Sequence, residues 1–187
     1  MYKTIPVATS YYEHQKGAPV FSLPQNAKLH LWKPDIEAYL HVYRSIGEPW
    51  GWTGRILMPQ EELKAILQDE NNFLFQLSLE GNFAGFAEFQ QVATDFELVY
   101  FGLLPSFIGK GLGKGFLSTA CQMAYKAGAS RIWLHTCEFD HPNAAENYQK
   151  AGFKKYHSEI CHEPYDEDFL EKFKRQFPRL NFTYEKQ

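Results

Sequence analysis

The sequence predicts an α/β domain, in the α+β sense of a mixed central sheet of about six to seven strands flanked by helices. Three observations predict it: consecutive β-rich runs over 73–104, a change of hydrophobic period from two to about 3.6 at Gly113, and a strand–helix–strand continuation over 131–161. With 187 residues the chain fits one domain, 1–187, large enough to bury about two thirds of its unfolded surface.

Residues 1–26 carry Pro6, Gly17, Pro19 and Pro24 without sustained periodicity and read as an irregular N-terminal arm. Ala27–Trp32 reads as a strand. Pro34 then opens a helix with Ile36, Tyr39, Leu40 and Tyr43 at three- and four-residue spacing, ending near Gly47. A turn-rich loop over 48–54 holds Trp50 and Trp52, and a second helix with Leu63, Ile66 and Leu67 starts at about Pro59. Phe73–Leu79, Phe83–Val92 and Phe96–Leu104 form an antiparallel meander, the first two a hairpin turning at Gly81–Asn82. Alternation in the third run puts Glu97, Val99 and Phe101 on one face and Leu98, Tyr100 and Gly102 on the other.

From Gly113, the stripe Phe116, Leu117, Ala120, Ala124 and Ala127 marks a crossover helix closed by Gly128, which links parallel neighbours. Arg131–Thr136 is the next strand, a helix runs to Lys150, and Phe153–Cys161 resumes as strand. The acidic tract 163–168 opens a helix through Arg175, since carboxylates favour a helix N-terminus, and Phe177–Tyr184 returns as a last strand. Residues 162–187 are thus expected to be a C-terminal helix and strand.

Composition narrows the function classes. A net charge of −3 with no Lys/Arg run longer than two gives no footprint for nucleic acid. No apolar stretch reaches the roughly 18 residues that span a bilayer, and no signal-peptide core follows Met1, so a cytoplasmic protein with no membrane partner is expected. Cys121, Cys137 and Cys161 form no C-x-x-C pair, and His135, Cys137 and His141 lack the spacing of known metal sites, so neither disulfides nor metal are expected. Oligomeric state stays open, a homodimer included.

The chemistry concentrates at Ile108-Gly109-Lys110-Gly111-Leu112-Gly113-Lys114, a glycine-rich turn between a strand and a helix. Free N–H groups and the positive dipole end of the helix suit a phosphate there, and glycines let it approach the backbone. The dinucleotide pattern G-x-G-x-x-G fails because Lys114 or Phe116 stands where its third glycine belongs. The Walker pattern fails because its first glycine is missing and no Ser/Thr follows.

The run from Tyr100 through Gly113 resembles the acetyl-CoA signature of the GCN5-related N-acetyltransferase (GNAT) superfamily, whose turn reads Arg/Gln-x-x-Gly-x-Gly/Ala. Ile108 departs from it, standing where the family has Arg or Gln. Downstream, Asn143 through Tyr148 to Gly152-Phe153 is similar to the family's Asn-x-x-x-x-Tyr-x-x-x-Gly-Phe segment at the expected spacing. The resemblance covers roughly 73–160 well and the first 70 residues by element order only. It implies a sheet with a splayed pair of central strands and acetyl-CoA as cosubstrate, its pyrophosphate on 108–114 and its pantetheine arm along the backbone of Phe101, Gly102 and Leu103. It also implies transfer of an acetyl group to a primary amine of a small molecule or protein by direct attack in a ternary complex.

Tyr148 stands at the position of the family's general acid, where a phenol with pKa near 10 can protonate or hydrogen-bond a departing thiolate. Asn143 matches the residue that bonds the cofactor arm and is equally a good helix N-cap. Glu97 occupies the place of a glutamate base in the histone-acetylating branch, with Glu88 on the preceding strand as competitor. His135 is a possible proton relay. The acceptor falls to the loop region, where Trp50, Trp52 and Arg55 offer aromatic faces and a guanidinium for a cationic or carboxylate-bearing amine. The alternative is a non-catalytic acyl-CoA-binding module of the same fold; a nucleotide-binding βαβ protein is a third, weaker reading.

Overall fold

The meander forms as its alternation requires. In the computed structural model, which describes residues 1–186 and so leaves Gln187 of the 1–187 domain reading outside, β3 (Asn72–Leu79), β4 (Asn82–Val92) and β5 (Asp95–Leu103) pair antiparallel in turn. β2 (Ala27–Leu31) adds to β3, and α1 (Ile36–Gly47) and α2 (Gln60–Gln68) lie between them in sequence. Asp35 caps α1 by accepting from the Ala38 N–H at 2.8 Å. α3 (Leu112–Lys126) crosses to β6 (Arg131–Cys137), parallel to β5 as the crossover demands. α4 (Ala144–Lys150), β7 (Phe153–Asp166) and α5 (Glu167–Gln176) follow.

The N-terminal arm is not irregular. Tyr2–His14 is a full strand, β1, inserted between β6 and β7, giving one seven-stranded sheet in the order β2-β3-β4-β5-β6-β1-β7. Pro6 is tolerated because β6 pairs with β1 only from Thr9 to Glu13, so Pro6 has a hydrogen-bonded neighbour on the β7 side alone. The same pairing explains two further departures. β7 continues to Asp166, through most of the acidic tract, because Tyr2–Val7 needs a partner there. Phe177–Tyr184 forms no strand: Phe182 is buried instead among Ile5, Val7, Phe139, Tyr165 and Phe173, and a 3-10 turn follows at Thr183–Lys186.

A bulge corrects the expected faces of β5. The register shifts opposite Glu88/Phe89, so Tyr100 faces Glu88 while Leu98 faces Phe89, leaving Val99 as the extra residue. Phe101 therefore joins Phe96 and Leu98 against α3, its ring tilted against that of Phe116 at 4.7 Å, whereas Tyr100 turns to the α1 side and meets Tyr43 at 4.9 Å. Gly102 allows that helix to press on the sheet, since a Cβ there would stand 2.3 Å from Ile46 Cγ2. Gly102→Ala is expected to cost about 1–3 kcal/mol through overpacking, read as a lowered midpoint in thermal denaturation; an unchanged midpoint would show that α1 can slide freely.

Candidate active site

The site begins where the sheet opens. β5 and β6 pair only through Asp95↔Arg131, Phe96↔Ile132 and Glu97↔Trp133, and then diverge. Beyond Glu97 the β6-facing N–H and C=O groups of β5 lose their ladder partners, including those of the Phe101–Leu103 stretch expected to meet a pantetheine arm. A cavity of about 280 Å³ occupies the opening, lined by β5 from Leu98 to Phe101, by His135 and Cys137 of β6, and by Tyr148 of α4. Thr9 and Tyr11 of β1, the loop from Trp50 to Gly54, and Cys161, Glu163 and Tyr165 of β7 complete its wall.

The glycine turn suits an anion. Gly109 and Gly111 have φ of 81° and 74°, conformations that a side chain would strain, and nothing lies within 4 Å of where a Cβ would sit on either or on Gly113. Gly111 is the N-cap of the 15-residue α3, and no side chain caps it, so the first amides of the helix, at Leu112, Gly113 and Lys114, have no intrahelical partner. Lys110 and Lys114 flank the turn, each ammonium over an aromatic face, Phe107 at 4.7 Å and Phe21 at 5.0 Å. Ile108 is 48 % exposed and offers no charge. A pyrophosphate fits this cradle through backbone amides, with two lysines near in place of the missing Arg or Gln.

Glu97 and His135 come together. His135 Nδ1 lies 3.0 Å from Glu97 Oε1. Because an ionised carboxylate only accepts, Nδ1 carries the proton and Nε2 keeps a lone pair. The hydrogen bond that His135 donates to Glu97 raises the His135 pKa above the usual imidazole value, against desolvation, and the charges of Glu97, Asp140 and Glu163 add to it. His135 lines the cavity and Glu97 does not, so Glu97 faces the reaction space only through the imidazole.

Tyr148 stands on the same cavity, its ring against Tyr12 and Phe153. Burial first, then the neighbouring Asp140 and Cys137, push its pKa well above that of free tyrosine, so the phenol keeps its proton. Asn143 opens α4 without a side-chain cap bond, so of its two expected roles the capping one falls away; its backbone N–H donates to His141 Nδ1 at 3.0 Å, and the side chain is exposed.

Two residues expected at the acceptor are turned inward. Arg55 Nη2 donates to Glu88 Oε1 at 2.5 Å, and Tyr39 donates to Glu88 Oε2 at 2.5 Å. Glu88 has no exposed surface and both its oxygens are engaged, while Arg55 also lies 5.3 Å from the Tyr100 ring centroid. Neither lines the cavity, so Arg55 is not a carboxylate clasp and Glu88 is not a base: a carboxylate this buried is held by its pairing. Trp50 and Trp52 do line it. Trp52 packs against Gly47 and its Nε1 approaches Asp140 Oδ1 at 3.5 Å, and Thr53 Oγ1 donates to the Pro164 carbonyl at 3.0 Å, tying the loop to β7.

The sequence reading missed Tyr11, Asp140, Glu163 and Tyr165. Asp140 accepts from Thr136 Oγ1 at 2.6 Å and from the Cys137 N–H at 3.1 Å, fixing the start of the β6–α4 loop; its place just after a strand and before the Asn143 helix was the available signal. Tyr11 and Glu163 fell in segments read as arm and helix start. Burial, with Asp140, pushes the Cys137 thiol up to about 12, so it stays protonated beside Tyr165. No group of three or more His, Cys, Asp or Glu residues able to hold a metal ion occurs among the described residues.

Residues 39–153 match the Acetyltransferase (GNAT) family. No curated protein matches the chain. Among solved structures, a GCN5-related N-acetyltransferase from Sphaerobacter thermophilus is similar at a TM-score of 0.63 and 17 % identity, covering 86 % of this chain. This chain spans about half, 52 %, of that one. The ribosomal-protein-S18-alanine N-acetyltransferase from Escherichia coli gives a TM-score of 0.57 at 19 % identity over 75 % of this chain and 94 % of its own. An aminoglycoside acetyltransferase, meta-AAC0020, from an uncultured soil metagenomic sample gives 0.54 at 15 % identity over 67 % and 87 %. At these identities the likeness is one of fold.

Proposed function

Because the chain belongs to the acetyltransferase (GNAT) family, we propose that it transfers the acetyl group of acetyl-CoA to a primary amine, by direct attack in a ternary complex in the cytoplasm. One observation carries this reading: the Glu97–His135 pair and Tyr148 line or support one cavity at the opening between β5 and β6. A module that only binds acyl-CoA has no need of a base facing a phenol across that space.

The acceptor is an ammonium at neutral pH and must lose a proton to attack. His135 Nε2 takes it, and Glu97 fixes the tautomer and stabilises the imidazolium that forms. The amine nitrogen bonds to the thioester carbonyl carbon, and the β5 amides left without β6 partners at the opening polarise that carbonyl. As the C–S bond breaks, the Tyr148 O–H donates to the sulfur. The ammonium's first proton has gone to His135 and the phenol's to the thiol. The nitrogen, made acidic by C–N bond formation, releases a second proton to solvent, Tyr148 regains one from solvent and the imidazolium gives its own up, so each turnover releases one net proton. Cys137, held protonated, supplies no thiolate for an acyl-enzyme.

Thiol release from acetyl-CoA against polyamines, aminoglycosides, amino acids and lysine or N-terminal peptides tests the activity. Acceleration by at least one class is expected, and none by any would sink the proposal. The sign of the pH effect follows from His135. Its raised pKa means that kcat/KM falls as pH drops through a point above the ordinary imidazole value. Glu97→Gln removes the main cause of the shift, so the acid limb should move to lower pH and the plateau should drop. An acid limb unmoved in this variant would remove His135 as the base.

A further inference from the structure

The acceptor cavity is anionic. Its charged lining residues are His135, Asp140 and Glu163, and no Lys or Arg lines it among the described residues. Arg55 is committed to Glu88. The two carboxylates differ. Asp140 is engaged by Thr136, Cys137 and Trp52, so it serves the loop and contributes mainly its field. Glu163 is exposed, and its side chain makes no hydrogen bond or ion pair among the described residues, yet its charge is felt at His135, Tyr100 and Tyr165.

These groups are spread along β1. His135 lies opposite Tyr11 on the β6 side of β1, and Glu163 lies opposite Ile5 on the β7 side, so the base and the free carboxylate reach the cavity from different strands. The rings of Tyr11, Trp50, Trp52, Tyr100 and Tyr165 line the same cavity, and aromatic rings suit methylene groups and cations together. An amine that bears a carboxylate finds no cation to pair with here. A simple alkylamine leaves Glu163 unused.

We infer that the acceptor is an elongated amine with a second protonated nitrogen, an α,ω-diamine or polyamine. The reacting nitrogen sits at His135, the chain lies along the aromatic rings, and the distal ammonium pairs with Glu163. This inference rests on the acetyltransferase reading above.

The test compares kcat/KM of the full chain, with saturating acetyl-CoA, for cadaverine, pentylamine and δ-aminovalerate, which share one chain length and differ at the far end. Cadaverine is expected to lead pentylamine by roughly tenfold, with δ-aminovalerate slower still, because an ion pair at an exposed carboxylate and a cation on aromatic faces each add about threefold or more. Glu163→Gln should raise KM for cadaverine about fivefold and so cut its lead over pentylamine, on top of any effect through His135 that the two amines share. Glu163→Lys should favour δ-aminovalerate over cadaverine. Equal use of cadaverine and pentylamine, or discrimination that neither variant alters, overturns the inference. Turnover of other amines but none of these three also overturns it and leaves the acetyltransferase reading standing; no acceleration of thiol release by any amine removes both.

Discussion

Tyr148→Phe is expected to lower kcat about 100-fold, the lower range for a positioned general acid, with KM for amine and acetyl-CoA changed by less than about threefold. The phenylalanine keeps the ring that packs on Tyr12 and Phe153 and removes only the hydroxyl, so the fold should be unaffected. The effect is large because of where the hydroxyl lies. Burial keeps the phenol protonated, and the thiolate would form in the same desolvated space, where an anion without a donor is costly. The loss should fall on kcat alone, because the hydroxyl is needed only once the C–S bond stretches. Steady-state kinetics check it. A variant that keeps kcat within threefold, or loses only KM, would assign the proton to another donor.

Arg55→Ala is expected to destabilise the protein by about 3–5 kcal/mol, since it leaves Glu88 buried without its cation. For a chain of this size that corresponds to a fall in Tm of roughly 6–20 °C. The guanidinium also touches Tyr100, and the Arg55 N–H donates to Tyr43 OH at 3.3 Å, so the wall of the acceptor cavity should loosen with it. Replacing the whole network with apolar groups, as in Arg55→Met with Glu88→Leu and Tyr39→Phe, should recover most of the loss, because neither an orphaned charge nor an orphaned hydroxyl remains. Thermal denaturation of both variants decides the matter. A single variant within 1 kcal/mol of the wild type would mean that Glu88 finds water or another partner.

Much of this was legible in the sequence because it is local. The meander, α3, the glycine turn and the Asn143–Phe153 segment each write their signal in periodicity or spacing within a few residues. What the sequence hid is non-local. β1 was obscured by Pro6, which only a half-unpaired strand can hold, and the length of β7 is set by β1 rather than by its own acidic residues. Glu97 was readable as a base candidate, but its partner His135 lies across a parallel pairing that no local pattern encodes. Arg55 read as a substrate clasp because nothing near it in the chain announces Glu88. The bulge at Val99 reversed the facing of Phe101, a change that strict alternation does not foresee.

The position of β1 has a consequence for how the protein comes to exist. β1 leaves the ribosome ahead of its partners, β6 and β7, and finds them only when everything from β2 to α4 has also been made. Until then its hydrogen-bonding edges stay open, and so does the gap it will fill beside β6. Such long-range closure implies slow folding and a window in which a chaperone or an aggregation partner can compete for the strand. The cavity is therefore closed only after β6 and β7 have been made, because Thr9 and Tyr11 supply part of its wall.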